Sequence, residues 1–467
     1  MMNRYQKLGA NTVILGIGTF GSKLLVFLLM PFYTAMLSTS EYSTAELITS
    51  TANLLIPLAC IGISNGIFRF AAEKESDKEA VFSSSIALLG FGTLGFLLLA
   101  PILSLVDYFS GYTYLIVAYV ISANIQAVCA QYVRAVDKTK LFALQGVFNT
   151  LITVGCNLLF LAVFHLGVTG YVLSVIVGNL VTAAFLVVSA GLWRVFCFSR
   201  IDKRLIGQLL RFSLPLIPTT VCWLITDLSD RYMVTYFWGD SVNGIYSAAY
   251  KIPTVVHLVS GIFLQAWQFS AVAEASDEEE CRKFYSKVFE GFLSVVLIGS
   301  AGLILCSELL THLLLHSNYH GAKVYIPTLL CAVAVEALVS FLATVYLVRK
   351  KSMHSFLTAV LGTICNVFLN LLLIPRVGAL GAAFATLMAY CAVLVARMID
   401  VKRILPFRLQ LPRLIGNFAL LFLAAVFMTA DNEWRYLPVA LLTVAIFALN
   451  APMLIRSAYQ LFARRKK

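Results

Sequence analysis

Apolar runs of 18 or more residues recur along the whole chain, separated by short polar breaks. Each run is long enough to cross about 30 Å of hydrocarbon as a helix. The pattern predicts about fourteen helices, near 11–36, 45–68, 80–105, 114–134, 141–165, 171–196, 212–237, 243–269, 285–313, 324–348, 354–376, 380–400, 414–430 and 436–457. Basic residues collect in every second connection: Arg69/Lys74/Lys78, Arg134/Lys138/Lys140, Arg200/Lys203/Arg204/Arg211, Arg282/Lys283/Lys287, Arg349/Lys350/Lys351 and Lys402/Arg403/Arg408/Arg413. Both ends (Arg4 and Lys7; Arg464, Arg465, Lys466 and Lys467) fall on the same side, whereas the opposite loops hold only Lys323, Arg376 and Arg435. The positive-inside rule then puts both termini in the cytoplasm and requires an even number of spans.

Composition agrees with that pattern. Of 467 residues 60% are hydrophobic and 12% charged, with mean hydropathy +0.87. A soluble domain carries roughly 25% charged residues, so a soluble globule and a disordered chain are both excluded. The net charge of +12 lies in short loops rather than on one face of a domain, so no nucleic-acid partner is expected. Ten cysteines are scattered singly with no CxxC pair, which argues against a disulfide framework or a zinc site. His312, His316 and His320 are spaced to line one helix face, but Ser317-Asn318-Tyr319 should end the helix before the third of them. No metal and no cofactor are expected. The glycine run at 16–21 (GIGTFG) lies inside a predicted span, where small residues permit close helix packing rather than dinucleotide binding. The N-terminal MMNRYQK leads into an apolar segment with no small-residue cleavage site, as for an uncleaved first span.

The chain repeats itself. PFYTAMLSTSEYSTAEL, leaving helix 1, parallels RYMVTYFWGDSVNGIYSAAYK, leaving helix 7, and the steps Tyr33 to Tyr42 and Phe237 to Tyr246 are equal. At the same offset Lys23 falls opposite Asp227. Helices 5–6 contain NLLFLAVFHLGVTG and helices 11–12 contain NLLLIPRVGALGAA, sharing Asn-Leu-Leu and then Gly-x-x-Gly. The expected architecture is all-α and polytopic: two parallel, pseudo-symmetric six-helix lobes, 1–200 and 201–405, around a central cavity, with two further helices in 406–467. Transporters built from such repeats place substrate between the halves and open alternately to each side.

These segments carry a resemblance. LPLIPTTVCWLITDLSDRYMVTYFWGDSVNGIYSAAYKI (214–252), NLLLIPRVGALGAAFAT (370–386) and PFYTAMLSTSEYSTAEL (31–47) resemble the Wzx-like polysaccharide flippases of the multidrug/oligosaccharidyl-lipid/polysaccharide exporter superfamily. The resemblance covers nearly the whole chain. Two positions depart from it: many relatives have Arg where this chain has Ala35, and Gly where it has Ser43, so no role of that arginine is carried over. The resemblance implies a non-enzymatic flippase of the bacterial inner membrane, expected as a monomer. Its members move undecaprenyl-pyrophosphate-linked oligosaccharide from the inner to the outer leaflet.

Charges inside predicted spans are costly and usually face an internal cavity. Six stand out: Lys23, Asp227, Asp230, Arg231, Lys251 and Glu336. Asp227, Asp230 and Arg231 are spaced i, i+3 and i+4 and should share one face of helix 7. Lys23, Arg231 and Lys251, with Asp230, are the expected cargo-binding set, because Lys and Arg can hold a pyrophosphate through charge-assisted hydrogen bonds. Glu336, centred in helix 10 with no basic residue within helical contact in its own span, and Asp227 are the expected sites for a coupling cation, H⁺ or Na⁺. Pro215, Pro218 and Pro253 should kink helices 7 and 8, and Trp238 and Trp267 fall where interfacial aromatic belts lie. Competing readings are a lipid II flippase, a cation-coupled drug exporter of the same superfamily, and a membrane-embedded glycosyl- or acyltransferase. The external loops predicted here are too short to carry the last of these.

Overall fold

The computed structural model describes residues 27–72, 76–104, 111–273, 278–349, 351–430 and 432–464, which form helices and no strand. The chain divides into two compact units, Met1–Leu228 and Ser229–Lys467. The first contains α1 (Met30–Met36), α2 (Thr39–Ala59), α3 (Ile63–Ala71), α4 (Lys78–Ser104), α5 (Thr113–Ala135), α6 (Thr139–Asn157), α7 (Gly167–Ala190) and α8 (Lys203–Ser213). The division falls within α9 (Ile217–Trp238). The second unit contains α10 (Asp240–Lys251), α11 (Thr254–Ala273), α12 (Glu278–Leu305), α13 (Ser307–Leu314), α14 (Ile326–Val348), α15 (Ser352–Val377), α16 (Ala379–Ile404), α17 (Leu411–Thr429) and α18 (Tyr436–Arg464).

Among the described residues ten helices are long and apolar enough to cross a membrane, or up to twelve if each of two bent pairs is one span. The pairs are α8 with α9 and α10 with α11, each bent by more than 40°. Pro215 stands in the first break and Pro253 in the second, where a missing N–H and a clashing ring interrupt the helix. The remainder of the expected fourteen is accounted for differently. Most of helix 1, with Lys23 and the glycine run, lies outside the described residues. Helix 2 is split into α2 and α3, because Ile61 and Gly62 take φ of 52° and 65° between them. A Cβ at Gly62 would also come within 3.2 Å of the Ser213 carbonyl, so glycine satisfies both the turn and the approach.

The repeat is visible within each unit. Gly167 and Gly378 both have positive φ, 53° and 71°. Three residues on, Gly170 lies against the backbone of Phe160, and a Cβ on Gly381 would come within 2.7 Å of the Leu373 carbonyl. The copies differ in length: ten positions separate Asn157 from Gly167, and eight separate Asn370 from Gly378. The extra residues are taken up by a π-helical stretch, Leu158–Val163, and by His165 at φ 51°. A π turn absorbs extra residues without breaking the helix.

In the second unit α14, apolar except for Glu336 and a few hydroxyl residues, is enclosed, packing on α16, α11, α12 and α17, as so apolar a helix must be. Trp267 belongs to that core rather than to an interfacial belt. It is buried, stacks on Phe341 with ring centroids 5.4 Å apart, and donates its indole N–H to Thr344 Oγ1 at 3.1 Å. A tryptophan enters a core when its N–H finds an acceptor. The last two helices are fastened to this unit by a polar knot. Asn450 Nδ2 donates to Asn417 Oδ1 (2.6 Å), and Arg413 Nη2 and Ser294 Oγ donate to Asn450 Oδ1 (2.8 and 3.3 Å). Interhelical amide bonds of this kind hold helices together where lipid offers no hydrophobic driving force.

Candidate functional site

Asp230, on α9, is 1% exposed. Its Oδ1 accepts from Asn366 Nδ2 (3.1 Å) and Asn370 Nδ2 (2.6 Å) on α15. Its Oδ2 accepts from Thr386 Oγ1 on α16 (2.6 Å) and Tyr246 Oη on α10 (3.1 Å). Ser229 Oγ donates to Asn366 Oδ1 at 2.8 Å, closing the ring of polar groups. The chain builds this locally: Asn366 and Asn370 are i, i+4 and share a face of α15, and the tight crossing at Gly381 brings α16 against that helix.

All four partners of the carboxylate are neutral. Buried charges are ordinarily paired with an opposite charge or coordinated to a metal, and Asn370 Oδ1 is buried there with no hydrogen-bond partner. Among the described residues no three His, Cys, Asp or Glu side chains gather as a metal site. A hard monovalent cation, however, is met by oxygens of any kind. One carboxylate, two carboxamides, the Ser229, Thr386 and Tyr246 hydroxyls and no soft ligand make an oxygen-only set. Rotating the Asn370 amide would turn its orphan oxygen toward Asp230, an orientation that a cation between the two would stabilise.

A second polar group lies on α14. Glu336 accepts from Ser340 Oγ at 2.8 Å and lies 3.0 Å from His257 Nδ1 on α11. This corrects the expectation of an isolated carboxylate: the partner comes from another helix, beyond what helical spacing within one span can show. Also enclosed in the second unit is Arg397 on α16, 2% exposed, whose Nε donates to Thr358 Oγ1 (3.0 Å) and whose Nη1 donates to the Val339 carbonyl (2.7 Å).

The expected set is not gathered uniformly. Asp230 is enclosed while Asp227 is exposed and Arg231 half-buried, so the three do not share one environment on α9. Lys251, at the end of α10, is half-buried and, like Arg231 and Asp227, makes interactions of its own. Lys23 lies outside the described residues. Spacing arguments missed Asn366, Asn370, Thr386, His257 and Arg397. The two asparagines an α-turn apart in an apolar span were the available signal. For His257 and Thr386 there was none, since a lone His or Thr in a span is ordinary core.

A family profile described as polysaccharide biosynthesis protein matches residues 8–269. No curated protein gives a significant sequence match. Among solved structures, the chain is similar to a lipid II flippase, MurJ, in an inward closed conformation, with TM-score 0.70 and 15% identity over 96% of this chain and 100% of that one. It is also similar to a multidrug resistance MATE family transporter of the MOP superfamily in an inward-facing conformation (TM-score 0.69, 14% identity, 82% of this chain and 95% of that one). The outward-facing form of a MATE transporter gives TM-score 0.61 and 15% identity over 84% and 95%.

Proposed function

The chain belongs to the polysaccharide biosynthesis protein family and has the fold of the MOP superfamily, and from that premise we propose that it flips a lipid-linked oligosaccharide across the bacterial inner membrane. The cargo, carried on undecaprenyl pyrophosphate, moves from the inner to the outer leaflet by alternating access, driven by a coupling cation. Arg231 and Lys251, with Lys23, are the donors for the pyrophosphate, since a multiply charged anion is best held by charge-assisted hydrogen bonds. The coupling site is the Asp230 cluster, and its cation is Na⁺. The observation that carries the coupling is the buried carboxylate whose partners are all neutral. Each charge crossing 100 mV releases about 2.3 kcal/mol, so a few ions per cycle suffice to drive a large polar cargo. This reassigns Asp230 from cargo to cation, because a side chain so enclosed has no surface to offer a sugar-pyrophosphate.

The test is flipping of a fluorescent undecaprenyl-pyrophosphate oligosaccharide in proteoliposomes with imposed Na⁺ or pH gradients. Na⁺-driven flipping that fails in Asp230→Asn supports the reading. Proton-driven flipping that fails instead in Glu336→Gln moves the coupling to the His257–Glu336 pair. Flipping indifferent to both gradients removes the coupling altogether. A second cargo, lipid II, is favoured by the full-length likeness to the MurJ fold. Mass spectrometry of the lipid that accumulates in a deletion strain decides between them.

A further inference from the structure

Glu308 opens α13, and its carboxylate gathers three donors from elsewhere in the second unit. Arg435 Nη2 and Tyr436 Oη both donate to Oε2, and Lys323 Nζ lies 3.5 Å from Oε1. Beside them is a cavity of about 180 Å³ lined by Ser307, Glu308, Lys323, Val324, Met428, Thr429 and Arg435. Two of the three basic residues that the charge pattern assigns to outward loops therefore converge on one small cavity. Partial burial works against the ionised form of Glu308, but Tyr436, Arg435 and Lys323 outweigh it and hold its pKa below the ordinary glutamate range. Among the described lining residues, with Glu308 ionised, two cations face one anion.

Three further features point to an anionic ligand. Ser307 is 1% exposed, lines the cavity, and its hydroxyl has no hydrogen-bond partner. Cys306, which caps α13, makes no side-chain cap bond, so the cap residue leaves the first-turn N–H groups to other acceptors, and a helix N-terminus favours anions. Lys323 is held loosely, at 3.5 Å and with 37% of its side chain exposed, so its remaining N–H donors are open to a second acceptor. A divalent cation is disfavoured by two basic groups against one carboxylate, and the volume is too small for an oligosaccharide.

We propose that this cavity binds a phosphate group, from the headgroup of an outer-leaflet lipid or from solution, with Lys323, Ser307 and the first turn of α13 as donors and Glu308 as the brace that positions the cations. The site is independent of the flipping reading, because none of its residues belongs to the Asp230 or Glu336 clusters. The test uses the full-length protein, delipidated in detergent, titrated with inorganic phosphate at constant ionic strength and followed by thermal unfolding. Phosphate should raise the unfolding temperature of the parent. Lys323→Gln should weaken phosphate binding about tenfold, the loss of one charge-assisted bond. Ser307→Ala should weaken it about threefold without lowering the unfolding temperature in the absence of phosphate, since it removes a buried hydroxyl that bonds nothing. The same titration in nanodiscs containing phosphatidylglycerol identifies the source. Loss of the phosphate response there assigns the site to a lipid headgroup, and its persistence assigns it to a soluble anion. No response of the parent to phosphate, or equal responses in the parent and both variants, would overturn the proposal.

Discussion

Replacing Asp230 by Asn separates the structural from the ionic role of the cluster. The amide keeps the shape of the carboxylate but converts one acceptor oxygen into a donor. At Oδ1 it would face two amide N–H groups that cannot accept; at Oδ2 it would face the Thr386 and Tyr246 hydroxyls, which can turn. The new NH₂ therefore settles at Oδ2. All four hydrogen bonds to the charged acceptor, each worth about 1.5–3 kcal/mol, become neutral bonds worth about 1 kcal/mol, the two at Oδ2 with donor and acceptor exchanged. Relief from burying a charge returns part of that difference. The net expectation in Na⁺-free choline buffer is a loss of about 1–3 kcal/mol. A ligand at one hundred times its dissociation constant adds about 2.7 kcal/mol to the folded state, so the parent should gain stability when choline is replaced by Na⁺ and the variant should not. Thermal unfolding in matched choline, K⁺ and Na⁺ buffers measures both effects. A parent indifferent to Na⁺, or a variant that keeps the full Na⁺ response, would refute the assignment of Asp230 as a cation site even if the variant were less stable.

The other expectations are independent of that one. Arg231→Ala and Lys251→Ala should each reduce export of the lipid-linked sugar by tenfold or more while yield stays near normal, whereas unimpaired export in both would remove them from the cargo site. Gly381→Ala should cost about 3 kcal/mol or more, because its Cβ would lie 2.7 Å from the Leu373 backbone, which cannot give as a side chain can; differential scanning fluorimetry beside Gly261→Ala, where the space is open, reads the contrast. In a cysteine-free background, cysteine substituted for Ser317 should react with an impermeant thiol reagent on intact cells and cysteine substituted for Lys351 should not, and the reverse would invert the topology. Glu308 has its pKa lowered in the folded state. Its brace on Lys323 and Arg435 is therefore fully present above the ordinary glutamate value near 4.5 and is lost only as pH falls through the lower folded value. Glu308→Gln should accordingly destabilise at pH 7 and differ little from the parent at the most acidic pH, as followed by unfolding temperature against pH.

The positions of most helices were legible in the sequence because the bilayer makes one demand on every span: enough apolar residues to cross, with all backbone groups satisfied internally. Pro215 and Pro253 announced the breaks in the bent pairs, since a missing N–H acts wherever the residue stands. Asn-Leu-Leu and Gly-x-x-Gly announced the repeat, since a positive φ and a close crossing both exclude larger side chains. The partners of buried polar groups were not legible. Helical spacing shows which residues share a face but not which face of which other helix they meet, so the charge on Asp230 was visible while Asn366, Thr386 and Tyr246 around it were not. The partner of Glu336 was hidden for the same reason: His257 reaches it from a different helix, seventy-nine positions away. Trp267 shows the same limit for an apolar residue, since only the packed structure supplies Thr344 as the acceptor that admits an indole to the core. Hydropathy is a property of each segment, which the chain carries in one dimension; enclosure and pairing are properties of contacts between segments, and only the tertiary structure decides them.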